Sequence, residues 1–186
     1  MPDMAKSDDA AVPGARTLVL MRHAEAFPAP HGDLGRASDL SRPLTPSGRR
    51  KAGQRGTQLR EIGFHPDLVL ISPAIRSSET YTALGPFPAA PPPTIVQEAG
   101  LYESGPDSIL DIIRLIPDKF NNIIVIGHNP DLYHLTLDLA GRAIDDPDKS
   151  VLIRGFPTAS IASFRIHGHW HDLAAKRATL SLVLCA

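Results

Sequence analysis

The apolar residues fall into short runs separated by polar or periodic segments. Thr17–Met21 (TLVLM), Leu68–Ile71 (LVLI) and Asn122–Ile126 (NIIVI) are continuous apolar stretches of strand length, the pattern of strands covered on both faces. After the first comes a long polar stretch rich in Pro and Gly, Arg22 to Arg42. Thr45-Pro46-Ser47-Gly48 then has the order of a helix start, with a capping hydroxyl before a proline, and predicts a helix to about Ile62 stopped by Gly63. Ser72-Pro73 repeats that order and predicts a helix from Pro73 to about Leu84. In Asp107–Ile116, Ile109, Leu110, Ile112, Ile113 and Ile116 stand at helical spacing, and a further helix is expected over Asp131–Ala140. Thr94–Val96 reads as a short strand. The run PFPAAPPP at 86–93 fits neither regular helix nor central strand and reads as a surface connection. From Ala159 onward, SIASFRI and ATLSLVL are strand-like runs joined by a polar His/Gly turn, an antiparallel pair.

Strands alternating with helices, ending in a β-rich segment, predict an α/β fold: a single-domain three-layer α/β/α arrangement with a mostly parallel central sheet, helices on both faces and an antiparallel C-terminal strand pair. Neither an internal repeat nor a linker divides the chain. Residues 1–16 read as a flexible polar tail and 17–186 as one domain. Sheets of this kind place their sites at the carboxyl ends of parallel strands. The first run is followed by Arg22 and His23, the second by Ser72, Pro73 and, a turn later, Arg76, the third by Gly127 and His128. Three strands thus deliver two arginines and two histidines to one edge, the makings of a phosphoryl receptor. The planar guanidinium fork pairs with two oxygens at once, a helix start after Ser72 adds N–H groups, and a neutral imidazole can attack phosphorus.

Composition narrows the alternatives. Lys+Arg is 19 and Asp+Glu 20, for a net charge of -1 over 186 residues, which argues against a broadly basic binder of nucleic acid or membrane surfaces. Cys185, the one cysteine, excludes an internal disulfide and a cysteine zinc cage. The opening MPDMAKSDDAAVPGAR lacks the apolar centre of a signal peptide, and no run reaches the ~18 apolar residues of a membrane span, so a cytoplasmic protein is expected. Of 8 histidines, His31, His65 and His134 have no motif context. His167, His169 and His171 alternate and would share a face in an extended strand, as a metal site requires. The intervening Gly168 and Trp170 and the following Asp172 instead suggest a hairpin turn.

Arg22-His23-Ala24-Glu25 resembles the R-H-G or R-H-A signature of the histidine phosphatase superfamily. Ser72-Pro73-Ala74-Ile75-Arg76-Ser77-Ser78-Glu79-Thr80 is similar to its S-P-x-x-R-x-x-x-T block, and Gly127-His128-Asn129-Pro130 to its G-H-N block. Ser41-Arg42-Pro43-Leu44-Thr45-Pro46-Ser47-Gly48 resembles the R-P-L-T-x-x-G element of the short SixA-type phosphohistidine phosphatase branch, with Leu101-Tyr102 and Thr158-Ala159-Ser160-Ile161-Ala162 also fitting. The resemblance implies His23 as a transiently phosphorylated nucleophile, Arg22 and Arg76 as clamps on the phosphoryl oxygens and His128 as a hydrogen-bond donor to them. It implies no metal or organic cofactor. Arg42 is a candidate for a further oxygen contact, against a reading as an exposed turn arginine, and Ser72 is a candidate binding residue at the second strand end. The implied substrate is a phosphohistidine protein or a small phosphate ester, with a phosphomonoesterase or a non-catalytic phosphate-binding module as alternatives.

Superfamily members that cleave esters use a carboxylic acid to protonate the leaving oxygen, and Glu98 and Glu103 are the candidates here. A phosphohistidine bond releases imidazole, which takes up a proton near neutral pH (pKa ~6.5) without such help. Glu103 in the pocket would favour esters; Glu103 in solvent would favour phosphoramidates. The stretch Ala26–Leu40 is expected to form a mobile rim.

Overall fold

A computed structural model describes residues 16–29, 33, 35–141 and 150–185. Residues 1–15 of the expected tail, and His31, lie outside the described residues. Six strands form one sheet: β1 (Arg16–Arg22), β2 (Leu68–Ile71), β3 (Thr94–Gln97), β4 (Asn122–Gly127), β5 (Ile161–Ile166) and β6 (Ala178–Leu184). Their order is β3-β2-β4-β1-β5-β6. The first four run parallel, β5 is antiparallel to β1, and β6 to β5. The helices are α1 (Arg36–Leu40), α2 (Pro46–Glu61), α3 (Ile75–Leu84), α4 (Pro106–Arg114) and α5 (Asp131–Ala140).

The period-2 alternation of each strand splits the core into two layers. Leu18 and Leu20 of β1, with Ile123 and Val125 of β4, pack toward Ile109 and Ile113 of α4 and Leu132 and Leu135 of α5. Val19 and Met21, with Ile124 and Ile126, pack toward Leu59 of α2 and Leu84 of α3. Both faces of the central strands are covered, which is why their sequences are apolar without interruption and why the three-layer arrangement expected above is the one observed. β1 begins at Arg16, which is buried and paired with Asp118 at 2.9 Å, one residue inside the segment read as a tail.

Two local readings are corrected. The helix after β2 begins at Ile75, not Pro73, with Ala74 as its N-cap and no side-chain cap. Ser72 lies before it; its hydroxyl oxygen accepts from Ala74 N–H at a long 3.4 Å and meets His128 at 2.6 Å. The stretch before Arg42 contains the short helix α1, which the pattern missed because its five residues, RASDL, carry no apolar stripe. Elsewhere the Thr45 hydroxyl caps α2 by accepting from Gly48 N–H at 2.9 Å, as its sequence implied.

Candidate active site

Strand register puts the site together. Ile126 of β4 stands level with Met21 of β1 and Ile71 of β2, so the next residues, Gly127, Arg22 and Ser72, form one row at the carboxyl edge. His23 and His128 follow immediately. The His23 backbone is held from both sides: its N–H donates to the Gly127 carbonyl at 3.0 Å, and its carbonyl accepts from Ala159 N–H at 3.0 Å. Ala159 adopts φ 61°, and its own carbonyl accepts from the buried Arg55 at 2.8 Å. Arg55 is therefore a supporting residue that the sequence pattern could not reveal, since it lies inside an ordinary polar helix.

The R-P-L-T-P-S-G element has a structural role. Thr45 N–H donates to the Glu25 carbonyl at 3.0 Å and the Thr45 hydroxyl to the Glu25 carboxylate at 2.9 Å, tying the loop after β1 to α2. Gly48 is needed there because a Cβ would stand 2.1 Å from the Glu25 carbonyl oxygen.

The two histidine rings lie 5.0 Å apart between centroids. His23 Nδ1 is 2.7 Å from the Ala24 carbonyl. A carbonyl only accepts, so Nδ1 carries the proton and the Nε2 lone pair is free. His128 Nδ1 is 3.2 Å from a terminal nitrogen of Arg76, which only donates, so His128 is protonated on Nε2 and donates to the Ser72 hydroxyl at 2.6 Å. Burial, opposed by the Ala24 hydrogen bond and reinforced by Arg76, Arg22 and Arg42, lowers the His23 pKa to about 4. Burial, then His23 and Arg76, lower that of His128 to about 3. Both rings are neutral at neutral pH.

Arg22 donates to the Phe156 carbonyl at 3.0 Å, and Asn129 to the same oxygen at 2.8 Å. The Nε–H groups of Arg22 and Arg76 are buried without a hydrogen-bond partner among the described residues. Arg16 Nε and a terminal nitrogen of Arg55 are unpaired as well; what sets Arg22 and Arg76 apart is that both guanidinium charges act on the His23 ring, an arrangement suited to an anion. A cavity of about 370 Å³ opens on the Arg76–His128 side, lined also by Asp39, Tyr102, Glu103 and Asp131.

Of the expected residues, Arg22, His23, Ser72, Arg76 and His128 come together. Arg42 is half-buried, and its donors go to the Phe27 carbonyl at 2.6 Å and to Asp39 at 2.8 Å. Glu98 accepts from Gly100 N–H at 2.9 Å, caps a short turn and is not among the residues lining the cavity. Glu103 is exposed at the cavity rim. Asp39 was missed in the sequence altogether. Its carboxylate accepts from Arg42, from Arg76 at 2.8 Å and from Tyr102 at 2.6 Å. Burial works to raise its pKa, yet these three bonds hold it well below the usual carboxylate range.

The three alternating histidines do not share a strand face. His167 contacts Thr179 at 3.0 Å, while His169 precedes and His171 lies within a short turn at Trp170–Asp172, with Asp118 beside them. The Asp118 oxygens are taken up by Arg16, Trp170 N–H and His169.

Residues 18–105 match the model of the histidine phosphatase superfamily (branch 1). An uncharacterised Mycobacterium tuberculosis protein is 35% identical over 156 residues, spanning 82% of this chain and 91% of that one. Among solved structures, a candidate phosphohistidine phosphatase SixA from Nakamurella multipartitia superposes with a TM-score of 0.78 at 32% identity, over 93% of this chain and 97% of that one. The protein histidine phosphatase SixA complexed with tungstate, at 21% identity and TM-score 0.65, covers 91% of this chain and 96% of its own, and shares the fold. The chain belongs to the histidine phosphatase superfamily, in its SixA-like branch. Among the described residues no helix is long and apolar enough to cross a membrane.

Proposed function

We propose that the chain is a metal-independent phosphatase that dephosphorylates phosphohistidine in a protein through a covalent intermediate on His23. One observation carries this reading: a neutral His23 with its Nδ1 proton committed to a carbonyl and its Nε2 lone pair free, beside two buried guanidinium groups with unpaired Nε–H donors. Nε2 attacks phosphorus, a P–Nε2 bond forms, the substrate P–N bond breaks, and the departing imidazole nitrogen takes up a proton from solvent. Water then attacks phosphorus, the P–Nε2 bond breaks, and inorganic phosphate leaves. Arg22 and Arg76 spread the charge of the transferring group, and the Nε2–H of His128 turns from Ser72 to a phosphoryl oxygen. Three arginines around the site disfavour a metal cation. The exposed position of Glu103 fits a leaving group that needs no dedicated acid.

The test is rapid quenching with a radiolabelled phosphohistidine peptide. Acid-labile, alkali-stable label on His23, with turnover indifferent to chelators, is expected. Label on another residue, or none while phosphate is released, overturns the mechanism. A second reading, a small-molecule phosphomonoesterase, rests on Glu103 lining the cavity. Faster hydrolysis of sugar phosphates or nucleotides than of the phosphohistidine peptide would establish it instead.

A further inference from the structure

Asp39 makes a dense set of contacts for a half-exposed residue. Besides its carboxylate bonds to Arg42, Arg76 and Tyr102, its backbone carbonyl accepts from the second terminal nitrogen of Arg76 at 2.6 Å. The nitrogen of Arg76 that reaches the Asp39 carboxylate also faces His128. Three of its five N–H groups are thus in use, leaving Nε–H, which has no partner, and one hydrogen of the nitrogen that reaches the Asp39 carbonyl. A guanidinium grips a phosphoryl group best with two parallel N–H bonds. The Asp39 contacts occupy N–H groups on both terminal nitrogens that a phosphoryl group would otherwise use.

We propose that the Asp39 carboxylate competes with the phosphoryl group for Arg76 and Arg42, and so sets the balance between anion affinity and product release. This rests on the anion site proposed above. The charges of Arg22 and Arg76 act on both histidine rings and that of Arg42 on His23, and Asp39, paired with Arg42 and Arg76, cancels one of the three. Arg36 lies over the Tyr102 ring at 5.1 Å, and Glu103 and Asp131 are the other carboxylates lining the cavity. An uncompensated trio of arginines would hold inorganic phosphate too well for rapid turnover. A carboxylate that returns to the fork as phosphate leaves makes departure an exchange of one anion for another.

The experiment is calorimetric titration of inorganic phosphate into the full chain and into Asp39→Asn. The amide keeps the shape and one acceptor oxygen but removes the charge. Phosphate is expected to bind about tenfold tighter to the variant, as removal of a neighbouring like charge at this range implies. KM and kcat for the phosphohistidine peptide should fall together as release slows. Tyr102→Phe removes one bond to Asp39 without changing charge and should tighten phosphate about twofold. Unchanged or weaker binding in Asp39→Asn overturns the proposal and makes Asp39 a positioning residue. If that variant does not fold, the direction of the Tyr102→Phe shift decides in the same way. Titration needs no turnover. Tighter phosphate without phosphohistidine hydrolysis therefore keeps the competition and rejects the proposed function. Hydrolysis without tightening does the reverse.

Discussion

β1 carries the same kinds of side chain at both ends and puts them to different uses. At its start, Arg16 is paired with Asp118, and Asp118 with His169 at 2.5 Å; the His169 and His171 rings stack at 5.3 Å. At its end, Arg22 leads to His23, whose ring faces His128 at 5.0 Å beside Arg76 and Asp39. The side chains of His169 and His171 are 45% and 67% exposed, whereas His23 is 8% exposed. At the start of the strand each histidine has a carboxylate neighbour; at the end the charged neighbours are chiefly guanidinium groups. Burial among cations keeps an imidazole neutral with a lone pair to use. An exposed imidazole on a carboxylate is a surface tie. Arg-His-His-Asp composition does not define chemistry; depth and the sign of the neighbours do.

The largest test of this contrast is a pair of substitutions. His23→Ala should reduce kcat at least ~10³-fold, while His169→Ala should leave it within about twofold, measured on the same substrate. If both fall alike, the two ends are not separable. Next, Arg76→Lys keeps charge but loses the planar fork, and should lower kcat/KM about 10²-fold. Arg16→Lys should instead cost about 1–2 kcal/mol in denaturant unfolding and leave the activity of the folded fraction intact.

The third test uses protons. The folded pKa values of His23 and His128, about 4 and about 3, lie below the ~6.5 of the unfolded chain. Below pH 6.5 the unfolded chain binds protons that the folded one refuses, so their contribution makes stability fall with falling pH and levels off once the folded rings also titrate. His128→Gln should flatten that slope by up to about 1.4 kcal/mol per pH unit, read from unfolding at pH 6.5 and 4.5. By the same pKa values, phosphoenzyme formation should stay level from pH 8 to about 5. The smallest effect is expected for Ser72→Ala, which deprives His128 Nε2–H of its 2.6 Å partner: a loss of about threefold in kcat.

Most of the site was legible because it stands directly after apolar runs, and apolar runs are what a sequence displays most clearly. Arg22, His23, Ser72 and His128 are fixed by strand register, which follows from those runs. The start of α3 was misjudged because Ser72-Pro73 has the composition of a cap, while the Ser72 hydroxyl belongs to His128 across the sheet. Asp39 was illegible for a different reason. It sits on one polar turn of helix, and its partners Arg76 and Tyr102 are 37 and 63 positions away. Nothing local marks such a residue. Glu98 illustrates the converse: the sequence offered it as a carboxylic acid, and its carboxylate accepts from Gly100 N–H.

β1 is paired along its length with β4 on one side and β5 on the other. Its amides at Leu18, Val19 and Leu20 can meet solvent only when the sheet itself comes apart, so they belong with the slowest-exchanging hydrogens of the chain. Asp39 and Ser41 are tied by backbone bonds within one exposed helical turn and should exchange orders of magnitude sooner. His23 thus follows directly on the strand expected to exchange most slowly, and Asp39, which holds Arg76, sits on one of the turns expected to exchange soonest.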